Sequence, residues 1–140
     1  MELMVERVNV WAAPVNDEPG ALARLLNRLK EAGADFDFVL ARRAPENPGT
    51  GVVFITPLQG EKEVKAAEKL GFNLTNSVHS IRVEGINRPG MAAEVTGAIA
   101  RENVSMRGFC AAAVGSRFIF HIAVDSCQEA DQCVKIIRGL

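Results

Sequence analysis

The chain has 140 residues, of which 48% are hydrophobic and 24% are charged, as in an ordinary globular protein. Sixteen basic against seventeen acidic residues give a net charge of −1, which does not favour a nucleic-acid partner. No apolar stretch approaches the roughly 18 residues that a membrane-spanning helix needs, and the first residues do not resemble a secretory signal. Three cysteines without a CxxC pair favour a reducing compartment. We therefore expect a cytoplasmic protein without a membrane partner, built from one domain or two very small ones.

The chain is an internal repeat. Pro19-Gly20 recurs as Pro89-Gly90, 70 residues later. Other positions related by the same offset are Asp17 with Asn87, Leu25 with Val95, Leu29 with Ile99 and Phe36 with Met106. The offset then falls to 66, because residues 43–51 form a loop in copy one where copy two has only a tight Gly115-Ser116 turn. Loops tolerate such differences in length, so the shortening is where a repeated fold would accept it.

Copy one is predicted to have the element order βαββαβ. Leucines at helical spacing follow Pro19, which suits the first turn of a helix, and Gly33 is placed to end it. A second helix is predicted over 61–70, stopped by Gly71. Alternating or β-branched apolar residues predict the strands at 7–15, 36–40, 52–56 and 72–78.

Copy two repeats this order as far as its second helix. We expect a strand at 80–85, a helix at 91–102, a hairpin of 104–114 with 117–124, and a helix at 128–137. The sequence stops at Leu140, so copy two lacks a fourth strand of its own, and either residues 1–5 or another chain is expected to fill the vacant edge.

The expected fold class is α+β. It comprises two ferredoxin-like βαββαβ repeats, residues 1–78 and 79–140, with antiparallel sheets and the helices on one face. A repeat of about 70 residues is only marginally stable alone, because small domains bury little surface. We therefore expect the two copies to pack on each other.

The loop between the first strand and the first helix of each copy is the most informative segment. Its sequence is Val15-Asn16-Asp17-Glu18-Pro19-Gly20 in copy one and Gly85-Ile86-Asn87-Arg88-Pro89-Gly90 in copy two. A helix start offers unpaired N–H groups and the positive end of the helix dipole, which suit a carboxylate. The Asn87 side chain both donates and accepts hydrogen bonds, whereas Asp17 only accepts and favours an ammonium group. The alternative is that Asp17 and Asn87 simply cap their helices.

The whole pattern resembles the ACT domain, a regulatory module that binds small molecules. The resemblance runs from Arg7 to Arg138 and rests on an Asp/Asn-x-Pro-Gly loop between a strand and an amphipathic helix, found twice in register. The Asn87-Arg88-Pro89-Gly90-Met91 segment is similar to the effector loop of the serine-inhibited phosphoglycerate dehydrogenase regulatory domain. Serine itself is not indicated, because that family pattern has Asn where this chain has Ser105 and Asp35.

The resemblance implies a ligand site between two ACT repeats, where the strand–helix loop of one meets the start of the second strand of the other. The implied ligand-binding residues are Asn87, Arg88, Pro89, Gly90, Met91 and Ser105 in copy two, and Asp17, Gly20, Ala21 and Asp35 in copy one. Copy two is the better candidate, because copy one carries Asp at both of its polar positions.

We therefore expect a stand-alone regulatory or sensor protein, not an enzyme, that binds a small ligand, an amino acid, at the interface between ACT repeats. We expect an allosteric homodimer without a metal or another cofactor, and a partner enzyme as its target. His79 and His121 have no nucleophile or acid at a recognisable motif spacing, so no catalytic residue is predicted. The alternative is a protein-interaction module that pairs its sheet edge with a partner enzyme and needs no ligand.

Overall fold

A computed structural model describes residues 2–74 and 78–140 and confirms the α+β class, with the βαββαβ pattern present twice. In chain order the elements are β1 (Leu3–Val8), β2 (Trp11–Asn16), α1 (Ala21–Glu31), β3 (Phe38–Arg43), β4 (Thr50–Thr56), α2 (Gly60–Lys69), β5 (Asn73–Leu74), β6 (His79–Ile86), α3 (Met91–Arg101), β7 (Gly108–Val114), β8 (Arg117–Val124) and α4 (Cys127–Arg138). No helix within these ranges combines the length and the apolar character that crossing a membrane requires.

The elements form two compact units, each with its own sheet and its own core. The first unit comprises residues 9–74, and the second unit comprises residues 2–8 with 78–140. The strand order is β3-β4-β2-β5 in the first unit and β1-β6-β8-β7 in the second, and all pairs are antiparallel. The helices of each unit pack on one face of that unit's sheet.

Strand β1 fills the fourth-strand position that copy two lacks. It pairs with β6 over six consecutive residues, from Leu3 opposite Gly85 to Val8 opposite Ser80. The Val5 side chain is only 6% exposed and belongs to the core of the second unit. Of the two expected occupants of the vacant edge, residues 1–5 or another chain, the structure has the N-terminal segment. Residues 2–8 thus belong to the second unit, whereas the predicted first repeat comprised 1–78.

Two side chains of α4 hold β1 in place. Arg138 donates from Nη2 to the Val5 carbonyl oxygen at 2.9 Å. At the other end of the helix, Arg7 Nη1 lies 2.8 Å from Asp131 Oδ1. Backbone pairing on one side and these contacts along the helix together attach β1 to the second unit.

The single strand predicted over 7–15 is wrong, because that stretch contains parts of two strands in different sheets. Val8 ends β1, Trp11 begins β2, and the chain passes from one unit to the other between them. At this point the Asn9 carbonyl accepts a hydrogen bond from the Thr56 hydroxyl at 2.8 Å instead of a ladder bond. The break is invisible to hydrophobic patterning, because Val8 and Val10 continue the apolar character across it.

Three other predicted strands have different bounds in the structure. Strands β3 and β7 begin at Phe38 and Gly108, later than predicted, because the preceding segments first pack Phe36 and the buried Val104 on their cores. Of the predicted fourth strand at 72–78, the described part forms β5 at 73–74, and Phe72 is a completely buried core residue outside the ladder. Residues 75–77 of that prediction lie outside the described residues.

Replacing Val5 with alanine tests the role of β1. We expect the second unit to lose about 2 kcal/mol of its free energy of unfolding, because a buried side chain is truncated in a closed core. The neighbouring Met4→Ala is the matched control: Met4 is 61% exposed, and its loss should change stability by no more than about 0.5 kcal/mol. Urea unfolding followed by amide signals of β6 and β8 measures both. Equal effects of the two substitutions would show that β1 is not part of the core.

Candidate functional site

The strand–helix loops end in the same way in both units. Gly20 and Gly90 have φ of +87° and +86° and stand at the N-cap positions of α1 and α3. This left-handed backbone is open to glycine at little cost and strained for other residues. Neither helix receives a hydrogen bond from a capping side chain. The alternative in which Asp17 and Asn87 cap their helices is therefore wrong.

The uncapped start of α3 leaves hydrogen-bond donors available. Met91 N reaches the Arg88 carbonyl oxygen at 3.4 Å, and Glu94 N bonds to the Gly90 carbonyl oxygen at 2.9 Å. Between them, the amides of Ala92 and Ala93 have no acceptor among the described residues. Unpaired amides at a helix start, together with the positive end of the helix dipole, form a binding element for an anion.

A cavity of about 350 Å³ lies at this helix start. Its lining residues are Asn87, Arg88, Pro89, Gly90, Met91, Ala92, Ala111, Ala112, Ala113, Phe118 and Phe120. Five of the predicted site residues, the segment 87–91, are thus brought together. The ring centroids of Phe118 and Phe120 lie 4.4 Å apart. These two rings give the cavity an apolar wall. Polar groups at one end and aromatic carbon at the other are the usual composition of a small-molecule site.

Sequence reasoning missed the β7 and β8 side of this cavity. The signal for it is a run of three alanines, 111–113, in a strand, because alanine is a poor strand former that leaves space above the sheet. Ser105, which the resemblance placed in the site, is exposed in the segment between α3 and β7 and does not line the cavity.

The polar residues of copy one are arranged differently. Asp17 Oδ2 lies 2.9 Å from Arg43 Nε, so its carboxylate is already paired with a cation. Gly20 and Asp35 are exposed, and neither lines a described cavity. Ala21 is buried and lines a separate cleft beside β2. The loop of copy one therefore does not reproduce the site at α3.

The two loops carry the same ion pair with its charges reversed. In the first unit, Glu18 of the loop lies 2.8 Å from Arg24 of α1. In the second unit, Arg88 of the loop lies 2.6 Å from Glu94 of α3. Both members are related by the offset of 70 residues. Such exposed pairs add little stability. The reversed charges do make the loop of copy one acidic, with Asp17 and Glu18, whereas the loop of copy two carries the neutral Asn87 and the basic Arg88.

His121 and Cys133 do not line the cavity at α3. His121 is 9% exposed and stands opposite Arg82 and Cys110 in the strand register, on the sheet face away from the core. Burial raises the pKa of the Cys133 thiol, which is therefore neutral at physiological pH. Among the described residues, no group of three or more His, Cys, Asp or Glu side chains is placed to hold a metal ion.

No protein-family model matches the chain, and no curated protein matches it. Solved structures do. Protein BT0572 from Bacteroides thetaiotaomicron has a TM-score of 0.79 at 17% identity, covering 96% of this chain and 89% of its own. The ligand-free regulatory subunit of aspartate kinase from Thermus thermophilus has a TM-score of 0.67 at 13% identity, covering 99% and 96%. Escherichia coli aspartokinase III in complex with lysine and aspartate has a TM-score of 0.57 at 16% identity, covering 100% of this chain and 33% of its own. The chain therefore has the tandem ACT fold that its sequence resembles.

Proposed function

We propose that this chain is a cytoplasmic, non-enzymatic regulatory protein that binds an amino acid at the start of α3. One observation carries the proposal: the uncapped helix start opens into a cavity lined by the segment 87–91. The structures with this fold include regulatory subunits of aspartate kinase. Another is aspartokinase III, which is solved in complex with lysine and aspartate. The position of the cavity supports a ligand site, and the neighbours support a regulatory role.

The groups around the cavity match the three parts of an amino acid. The free amides of Ala92 and Ala93 would receive the carboxylate. The Asn87 side chain, which makes no hydrogen bond in the described part of the chain, would accept a hydrogen bond from the ammonium group. The apolar wall formed by Met91, Phe118 and the alanines of β7 would limit the size and polarity of the side chain.

Regulation would follow from closure of this site by a second ACT repeat. Strand β7 is the edge of its sheet and borders the cavity. In the proposed homodimer, a repeat of the partner chain pairs along this edge. That repeat supplies Ser105 or Asp35 from the start of its second strand. A ligand that bridges two repeats stabilises one arrangement of the dimer over another by its difference in affinity, and a partner enzyme would sense that arrangement.

The interaction module without a ligand remains the second candidate. Strand β7 has the sequence Gly-Phe-Cys-Ala-Ala-Ala-Val, with no charge and no proline to protect the edge, and its Val114 is 68% exposed. An edge of this kind can receive a strand from a partner protein. The two candidates differ in whether a free amino acid stabilises the chain.

A thermal-shift screen against the twenty amino acids at millimolar concentration tests the proposal. A ligand at 100 times its Kd adds about 2.7 kcal/mol to the native state, and we expect one or two amino acids to raise the Tm by about 5 °C or more. The Asn87→Ala variant should lose this response, because it removes the acceptor for the ammonium group.

Asp17→Ala is the matched control, at the equivalent position of copy one. It should keep the full response to the amino acid, because Asp17 is paired with Arg43 and does not line the cavity at α3. No shift with any amino acid would reject the proposal in favour of the interaction module. A shift lost in Asp17→Ala and kept in Asn87→Ala would place the site in copy one.

Ala111→Pro tests the proposed pairing along β7. The register and the tight turn at 115–116 give residues 108, 110, 112 and 114 to the ladder with β8, so the Ala111 N–H points to the open edge. Proline removes that donor and leaves the internal ladder intact. We expect light scattering to report about 30 kDa, twice the 15.1 kDa of one chain, for the unmodified protein and one chain for the variant. If the unmodified chain is monomeric and still binds the amino acid, the proposed dimer is rejected and the proposed site at α3 is retained.

A further inference from the structure

The fourth-strand position of the first unit is only half filled. Strand β5 pairs with Trp11 and Ala12 of β2, and in the described residues no strand lies beside 13–16 on that side. The second unit is different, because β1 covers β6 as far as Gly85, the equivalent of Val15. There Leu3 packs so closely that a Cβ at Gly85 would lie 2.9 Å from its Cδ2.

Pro14 disfavours ladder pairing by any strand placed in this position. The Asp17 amide bonds to the Gly49 carbonyl oxygen at 3.0 Å, so the alternation of an antiparallel ladder directs the backbone of residues 11, 13 and 15 towards β4. The backbone of Pro14 is directed to the opposite side, where proline has no N–H to donate. The equivalent residue of β6 is Glu84, which keeps its N–H and lies opposite Met4 of β1.

A cleft of about 570 Å³ occupies the unfilled position. Its lining residues are Pro14, Val15, Asn16, Ala21, Arg24, Leu25, Asn27, Arg28, Glu31, Thr50 and Leu70. All of them belong to the first unit. In the second unit Leu3 lies opposite Gly85, the equivalent of Val15, and packs on the core.

The cleft combines an apolar floor with a cationic rim. Val15, Leu25 and Leu70 supply the apolar surface. Arg24 and Arg28 lie one turn apart on α1, and Arg24 is paired with Glu18. Arg28 has no anionic partner in the described ranges.

Glu31, the acidic residue that lines the cleft, does not neutralise the positive charge in this region. Glu31 and Arg28 also line the adjoining groove between α1 and α2, which carries the three lysines Lys62, Lys65 and Lys69. Lys65 is paired with Glu61, but Arg28, Lys62 and Lys69 outnumber Glu31, so the charge at this end of the first unit is positive. The helix position of Arg28 is occupied in the second unit by the buried Ala98. A cation over apolar surface suits an anion that carries a hydrocarbon chain.

We propose that this cleft is a second ligand site, which binds a small carboxylate with an unbranched apolar chain. The carboxylate lies at Arg28 and Asn27, and the chain lies along Val15, Leu25 and Leu70 in the place that Leu3 occupies in the second unit. A peptide strand is the less suitable occupant, because the position of Pro14 lacks a ladder donor. This site is separate from the amino-acid site proposed at α3 and shares no residue with it.

Calorimetric titration of the full chain with octanoate tests this site, with 1-octanol as the uncharged probe of equal chain length. We expect octanoate to bind and octanol to bind at least about fivefold more weakly, because the charged hydrogen bonds to Arg28 are lost. Arg28→Gln should weaken octanoate binding by about fivefold or more for the same reason. Lys30→Gln removes the same charge from an exposed position of α1 that does not line the cleft, and it should leave the Kd unchanged.

The Asn87→Ala variant separates this proposal from the amino-acid site. Octanoate binding should be retained in Asn87→Ala and reduced in Arg28→Gln, whereas any amino-acid response should show the opposite pattern. The proposal is overturned if octanoate does not bind at millimolar concentration, if octanol binds equally well, or if Arg28→Gln and Lys30→Gln behave alike. Loss of octanoate binding in Asn87→Ala would assign it to the cavity at α3 instead.

Discussion

Strand β1 lies along β6 with six consecutive residue pairs, and much of the molecule follows from that pairing. It completes the four-stranded sheet of the second unit and buries Val5. Four residues of α4 are buried in the same unit. Among the described residues of the first unit there is no equivalent segment: β5 comprises Asn73 and Leu74, and α2 buries only Ala67. The same four-strand plan thus gives one closed core and one with an unfilled position.

The two copies have kept their architecture and changed their chemistry. The left-handed glycines at 20 and 90, with φ of +87° and +86°, hold the same loop shape in both units. The Glu18–Arg24 and Arg88–Glu94 pairs connect that loop to the helix with opposite polarity. The same fold therefore accepts either charge on the loop. Only the second unit combines a loop without acidic residues with a cavity at its helix start.

Local patterns predicted most of the fold. The strand at 117–124 was found with its full bounds, and the helices at 91–102 and 128–137 within one residue, because glycines and apolar periodicity mark such ends directly. Patterning could not separate β1 from β2, since the exchange between sheets is decided by pairing with a strand far away in sequence. It also missed the alanine side of the cavity at α3, because that surface is assembled from β7 and β8 only after folding. The segment 87–91 was found because the loop and the helix start are contiguous in sequence.

If the fourth-strand position is filled in one unit and open in the other, the two units offer different ligand sites. Amide NMR spectra of the full chain, titrated separately with the amino acid found by the screen and with octanoate, distinguish these sites. We expect two separate sets of shifted amides: Ala92 and Ala93 with neighbours of α3 for the amino acid, and Asn16 and Leu70 with neighbours of α1 for octanoate. A single set of amides that responds to both compounds would show that the two units do not carry separate sites.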